Sequence, residues 1–379
     1  ECLSFEKILD SIKPDYVILY QITLRQDFLL YLICKAKGIK TLILRPTRIG
    51  KKFIVSDNYE KIEFEKINSK KISLTHSNNL LDYHEKHDNQ KVWSEFRSRF
   101  MNSKKNMIYA MSKYFFSDNT NPNTHYTYFG RTKLKVFLKY LKYSLQSKIR
   151  KNFIDKNLLK EVNFTTSFIY FPLHMEQERS TLLDAPFNTD QLQVIKQVVK
   201  SLPVGMKLYV KEHPNMKARD WRPISIYKEL MELPNVSVLH PSVNPNLLLQ
   251  NCSLVIVITG TAAFDAGFYE KPAITFVETE FSSLNHIAVL GKTSELPTLI
   301  KNCLAKTITS DDMWKYIEYV EKNGFTIDII SLQHDILDVL NYEGYLVDVE
   351  IDESKLKSLL NLKKKEFDLI AIEHIKKFS

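Results

Sequence analysis

Apolar positions along this chain fall into two rhythms that take turns. Near the N-terminus Phe5, Ile8, Leu9 and Ile12 recur at helical spacing until Lys13-Pro14-Asp15 breaks the pattern. Residues 16–20 (YVILY) are then apolar without interruption, as befits a strand covered on both faces. A helix is predicted over about 27–37, closed by Gly38, and residues 41–44 form the next strand. Such a β-α-β unit builds parallel sheet, because the crossover returns the chain in the same direction. The clearest stretch is 168–276. Strands are predicted at 168–171 (FIYF), 207–210 (KLYV), 236–239, 254–258 (LVIVI) and 273–276 (AITF). Helices are predicted between them at about 189–202, 227–232, 246–250 and 262–269. Strands separated by helices predict a doubly wound parallel sheet.

From 51 to 163 the pattern is poorer and rich in Lys, Asn, Ser and Tyr, with helical stretches near 79–100 and 131–149. The second stretch and the residues just beyond it carry Arg131, Lys133, Lys135, Lys139, Lys142, Lys148, Arg150 and Lys151, with no acid among them. Leu134, Phe137, Leu138, Leu141 and Leu145 run through it as an apolar stripe. The pattern is first that of a surface helix that turns its stripe to the core and its lysines to water; the alternative is a helix that lies on anionic lipid. The last hundred residues read as mostly helical, ending in a Lys-rich amphipathic segment at 355–377. The organisation predicted is a Rossmann-like domain at 1–160 with a basic helical insertion, a second Rossmann-like domain at 161–310, and a helical segment at 311–379. The first unit begins partway into a fold at Glu1, so a truncated N-terminal domain is expected.

Composition narrows the class. At 379 residues, with 44% apolar and 26% charged residues, the chain is an ordinary globular protein of more than one domain. Nine Gly and 13 Pro exclude a collagen-like or linker protein. No apolar run approaches the ~20 residues of a membrane span. Four Cys, at 2, 34, 252 and 303, are too scattered for a disulfide framework or a Cys-based zinc site, so a reducing, cytoplasmic setting is expected. Lys and Arg number 53 against 44 Asp and Glu, a net charge of +9 that favours anionic partners.

In open α/β sheets ligands bind beyond the carboxyl ends of the strands, so the loops there carry the candidate chemistry. After 168–171 come His174, Glu176, Glu178, Arg179, Ser180 and Thr181. A carboxylate there can deprotonate a hydroxyl or attack an anomeric carbon, and Arg179 can hold a phosphate or carboxylate. A solvated polar loop would have the same composition. After 207–210 come Lys211, His213 and Pro214, a cation and an imidazole suited to a nucleotide phosphate or ribose, although a lone loop His is more often structural. After 254–258 come Thr259, Gly260 and Thr261, a small-residue turn into a helix that carries Asp265. That turn lets an anion approach the backbone, or simply caps a tightly packed helix. It is neither the G-x-G-x-x-G fingerprint nor a P-loop. Three polar clusters after three strands of one sheet should converge on one edge.

The order FPLHMEQERST, LYVKEHPNM, LPNVSVL and VITGTAAFDAGFYEKPAITF resembles bacterial capsule polysaccharide biosynthesis proteins. That group includes β-Kdo transferases and is related in layout to GT-B sialyltransferases. The resemblance is strongest over 168–276 and weaker over 13–50, where KPDYVIL and RPTRIG stand at family-like positions. It implies a GT-B-like α/β fold: two Rossmann-like, doubly wound parallel-sheet domains with a helical middle and a helical C-terminal segment. It implies transfer of a sugar from a nucleotide-sugar, CMP-linked in preference, to a surface polysaccharide or glycolipid acceptor. Lys211, His213 and Pro214 would contact the nucleotide, and Thr259, Gly260 and Thr261 the phosphate. Asp265 stands where such enzymes often carry a ribose-binding Glu. Glu176 or Glu178, with His174, would lie near the reacting carbon, and Arg179 would anchor donor or acceptor. No metal or other cofactor is expected, since a convincing D-x-D motif is lacking and Asp348-Val349-Glu350 lies in the unmatched tail. Peripheral contact with the inner membrane is an expected partner interaction; nucleic acid is not. Two other readings remain: a sugar-nucleotide 2-epimerase, and a non-catalytic protein whose basic surface binds polysaccharide or nucleic acid.

Overall fold

A computed structural model of the chain describes residues 1–60, 62, 79–87, 105, 108, 112, 116, 133–176, 178–219, 221–340 and 351–378. Two compact units share them. One gathers 1–43, 56–83 and 144–319; the other gathers 44–55, 84–143 and 320–379.

The N-terminal strands are β1 (Tyr16–Tyr20), β2 (Lys40–Pro46) and β3 (Lys52–Ser56). Those that follow are β4 (Phe168–Pro172), β5 (Lys207–Lys211), β6 (Val236–Leu239), β7 (Leu254–Val257), β8 (Ala273–Thr275), β9 (Ile287–Val289) and β10 (Phe325–Thr326). The five strands predicted between 168 and 276 all form, within a residue or two of the expected bounds. They form because each is apolar at every core position: the first four residues of β4 and all four of β7 are buried.

With β9 they make a six-stranded parallel sheet in the order β6-β5-β4-β7-β8-β9. Counted from β4, that is the 3-2-1-4-5-6 order of a doubly wound dinucleotide-type sheet. The winding reverses between β4 and β7, and the crevice outside their carboxyl ends is the topological switch point. Register fixes what meets there. Pro172 is opposite Lys211 across β4 and β5, while Ile169 and Tyr170 are opposite Leu254 and Val255 across β4 and β7. Four more steps in the β4–β7 register bring His174 beside Thr259.

Helices cover the sheet. Helix Gln191–Lys200 buries Val194, Ile195 and Val198, and Asp190 caps it by accepting the Gln193 N–H. Helix Ile224–Glu232 buries Tyr227 and Leu230. Their side chains join Ile169, Phe171, Leu208 and Ile256 in one apolar core.

A second sheet has the order β1-β2-β3-β10. β10 runs antiparallel to β3, with Phe325 opposite Phe53. β3, β9 and β10 are absent from the sequence reading: β3 sits in a Lys-rich stretch and the other two span three and two residues. The C-terminal residues are helical as expected, at Asp311–Asn323, Ile329–Leu340, Glu353–Leu362 and Lys364–Ile375. The helix expected near 79–100 is present at Leu80–Lys86, and residues 88–100 lie outside the described residues, as do Arg131 and the Asp348-Val349-Glu350 run.

One expectation is reversed. The helix foreseen at 131–149 forms as Lys133–Asn157, but its leucine stripe does not face the core: Leu134, Leu138, Leu141 and Leu145 are exposed. Periodicity shows that a helix has an apolar face, not what that face meets. Among the described residues no helix is long and apolar enough to cross a membrane.

Candidate functional site

At the switch point the chain leaves β4 through Leu173, whose N–H donates to the Lys211 carbonyl at 2.9 Å. His174 follows, buried, and its Nε2 accepts the backbone N–H of Thr259 at 3.2 Å. An N–H donor needs a lone pair, so the imidazole proton sits on Nδ1. Burial, reinforced by the neighbouring His213 and Arg222, lowers the His174 pKa to about 4, so the ring is neutral at physiological pH. This bond ties the exit of β4 to the exit of β7. Gly260 completes the junction with φ 104° and ψ −179°, a conformation essentially reserved for glycine. A Cβ there would stand 3.0 Å from His174 Cε1. Thr259 Oγ1 is buried and has no hydrogen-bond partner among the described residues, Thr261 opens the next helix, and Asp265 lies one turn on.

The backbone of His174 is gripped as firmly as its ring. The Gln191 side chain accepts the His174 N–H at 2.7 Å and donates to its carbonyl at 3.2 Å. Arg222 Nη2 donates to the same carbonyl, and Nη1 pairs with Glu176. Arg222 Nε reaches Glu212 Oε2 at 2.8 Å, where the Tyr227 hydroxyl also donates at 2.6 Å. The other Glu212 oxygen accepts the His213 N–H at 2.6 Å. Glu212 is completely buried and Arg222 nearly so, which the chain tolerates because the carboxylate is bonded on both oxygens. Glu176 is 39% exposed despite its pairing, so its carboxylate is held in place yet reachable.

Lys211, the last residue of β5, is buried, and its ammonium donates to the carbonyls of Pro241 at 3.2 Å and Glu212 at 3.4 Å. Burial pulls its pKa down to about 8 against the opposing pull of Glu212. His213 is half-buried, and its Nδ1 accepts the Asn215 N–H at 3.1 Å, so a neutral ring carries its proton on Nε2. Pro214 opens a short 3₁₀ helix, Pro214–Arg219.

Arg179 turns elsewhere. Its Nε donates to the Tyr59 hydroxyl at 2.9 Å, its guanidinium carbon is 4.9 Å from the Tyr59 ring centre, and Asp184 lies 3.4 Å away. Tyr59 in turn donates to Asp184 at 2.6 Å. Glu178 accepts from Ser180 at 3.4 Å and starts the turn Ser180–Asp184. A pocket of about 310 Å³ opens beside the switch point, lined by Glu176, Arg222, Gln191, Asp190 and aliphatic side chains of the two covering helices.

Of the residues singled out in the sequence, His174, Thr259 and Gly260 meet directly. Glu176 is linked through Arg222 to the turn that carries Lys211, His213 and Pro214. Gln191, Glu212, Arg222, Tyr227, Tyr59 and Asp184 were not foreseen. Only Glu212 gave a signal, an acid between Lys211 and His213 at a strand's end. Among the described residues no group of three or more His, Cys, Asp or Glu gathers in the manner of a metal site.

The family model for capsule polysaccharide biosynthesis proteins matches residues 61–284, more than half of the chain and all of β4 to β8. The chain belongs to that family. Among solved structures it is similar to the KpsC β-Kdo 2,4 transferase of Thermosulfurimonas dismutans, with 12% identity and a TM-score of 0.38 over 83% of this chain and 85% of that one. It is also similar to the KpsC β-Kdo 2,7 transferase of the same organism, with 10% identity and a TM-score of 0.36 over 84% and 89%. The UDP-GlcNAc 2-epimerase of Methanocaldococcus jannaschii gives 13% and 0.30 over 85% and 80%. No curated protein matches the chain. Family membership, not these distant likenesses, is what bears on function.

Proposed function

We propose that this family member is a GT-B-type glycosyltransferase that moves a sugar from a nucleotide-sugar, CMP-linked in preference, to a growing surface polysaccharide or glycolipid. The observation that carries the reading is the junction of His174 with Thr259 and Gly260 at the switch point, where a doubly wound sheet receives a nucleotide. The nucleotide lies against the turn of Lys211, His213 and Pro214, with the His213 Nε2–H as a donor to phosphate or ribose. The phosphate faces Thr259, Gly260 and Thr261, and the ribose hydroxyls face Asp265.

Glu176 is the better placed of the two loop carboxylates, being fixed by Arg222 and still partly exposed. It removes the proton from the acceptor hydroxyl as that oxygen attacks the anomeric carbon. His174, neutral and bonded to Thr259, orients both strand exits. Arg179 stiffens the loop through Tyr59 and Asp184 and offers the remaining guanidinium edge to an anionic substrate. The protein's own cations and backbone N–H groups supply the charge that stabilises the leaving phosphate, so no metal is required.

The test is thermal stabilisation of the purified chain by CMP, CDP, UDP, GDP and their sugars, with and without EDTA. Selective stabilisation by a cytidine nucleotide that survives EDTA and is lost in His213→Ala supports the reading. Full stabilisation of His213→Ala removes that residue from the donor site. Conversion of the donor sugar without an acceptor would instead identify an epimerase.

A further inference from the structure

Helix Lys133–Asn157 is 25 residues long. Ile154 on it is fully buried, Ser147 and Arg150 are half-buried, and Arg150 Nη1 donates to the Trp221 carbonyl at 2.9 Å. At about 100° per residue these three positions share one side of the helix. Leu134, Leu138, Leu141, Leu145 and Ile149 share the opposite side, and each is 43–63% exposed. Scattered surface leucines are ordinary, but five aliphatic side chains in line over four turns are not. The exposed Lys135, Lys142 and Lys148 border this stripe, Lys139 lies farther round the helix, and no Asp or Glu occurs between residues 133 and 154.

We propose that this helix is a membrane-surface anchor, lying in the plane of an anionic bilayer with its aliphatic stripe at the acyl boundary and its lysines on the headgroup phosphates. Charge selects the occupant. A second copy of the helix on the stripe would set lysines against lysines with no carboxylate to neutralise them, whereas a sheet of lipid phosphates complements every one. The stripe from Leu134 to Ile149 is about 22 Å long, enough to lie along an interface and not to cross one. The anchor is independent of the transferase reading, because it uses none of the residues at the switch point.

The test is flotation of the full chain with vesicles of phosphatidylcholine alone or mixed with phosphatidylglycerol, without nucleotide. Binding is expected to the anionic vesicles, to be weak on the neutral ones, and to fall with added salt. Leu138→Ser/Leu141→Ser/Leu145→Ser and, separately, Lys139→Glu/Lys142→Glu/Lys148→Glu should each weaken it by about tenfold or more. All six side chains are exposed, so both variants should melt like the parent. The proposal is overturned by equal binding to both vesicle types, by no binding, or by undiminished binding of either variant. It is equally overturned by a stripe-dependent dimer that ignores vesicles.

Discussion

Replacing Gly260 by Ala tests the junction at the switch point directly. Two costs add. Backbone at φ 104° and ψ −179° is strained for any residue with a Cβ, by about 1–3 kcal/mol. The new Cβ also stands 3.0 Å from His174 Cε1. That ring cannot easily withdraw, because Thr259 holds its Nε2 while Gln191 and Arg222 hold its backbone. Crowding a packed site adds about 1–3 kcal/mol more. Gly38→Ala is the matched control: φ is 70° there and nothing lies within 4 Å of the added Cβ, so only the left-handed penalty of about 1–2 kcal/mol applies. Urea unfolding of both variants, with nucleotide-induced thermal shifts, measures the difference. Gly260→Ala should be the less stable by about 1–3 kcal/mol and should lose its nucleotide response, while Gly38→Ala keeps it. Equal destabilisation with binding retained in both would refute the idea that His174 and Gly260 define the site.

Two further outcomes follow from the buried charges. Arg222→Met takes the paired guanidinium from the fully buried Glu212 carboxylate and should cost about 3–5 kcal/mol, most of it recovered when Glu212→Gln is added; additive losses in that urea-unfolding cycle would show that the pair is not coupled. Acid should also weaken the fold. Burial lowers His174, and also His286 against the opposing hydrogen bond from its Nε2 to the Ala263 carbonyl, to pKa values of about 4, below the ordinary value near 6.5. The unfolded chain therefore binds more protons between those limits, so stability falls as pH drops from about 6.5 to 4, by up to about 3 kcal/mol per histidine. His286→Gln should flatten that dependence in urea midpoints taken at several pH values, and an unchanged slope would contradict the assignment.

The parallel sheet was legible because of how it is buried. FIYF and LVIVI are covered on both faces, and an apolar run that short between helical stretches matches little but a buried strand. Strand order was not legible, since the reversal between β4 and β7 is a property of the assembled sheet. Nor was the status of the charges. Glu212 and Glu176 are both acids just past a strand, yet one is sealed inside and the other half open, and both pair with Arg222, which lies 46 residues from Glu176 in sequence. The helix stripe at 134–149 gave the same difficulty in reverse: spacing revealed the face, and only the fold revealed that it meets solvent.

These contrasts suggest how the site keeps its shape. A loop leaving a strand has few backbone bonds of its own, and a carboxylate on such a loop would wander through many positions. Here Gln191 closes both backbone groups of His174, and Arg222 binds the His174 carbonyl and Glu176 with adjacent nitrogens of one guanidinium. The same guanidinium is anchored by Glu212, which also receives the N–H of His213. One buried ion pair thus sets the relative positions of the proposed base and the proposed nucleotide-binding histidine. Arginine suits that task because its planar fork fixes direction as well as charge, so Arg222→Lys, which keeps the charge and loses the fork, should preserve more stability than Arg222→Met while still impairing turnover. Wild-type turnover in Arg222→Lys would mean that the loop is positioned by Gln191 alone.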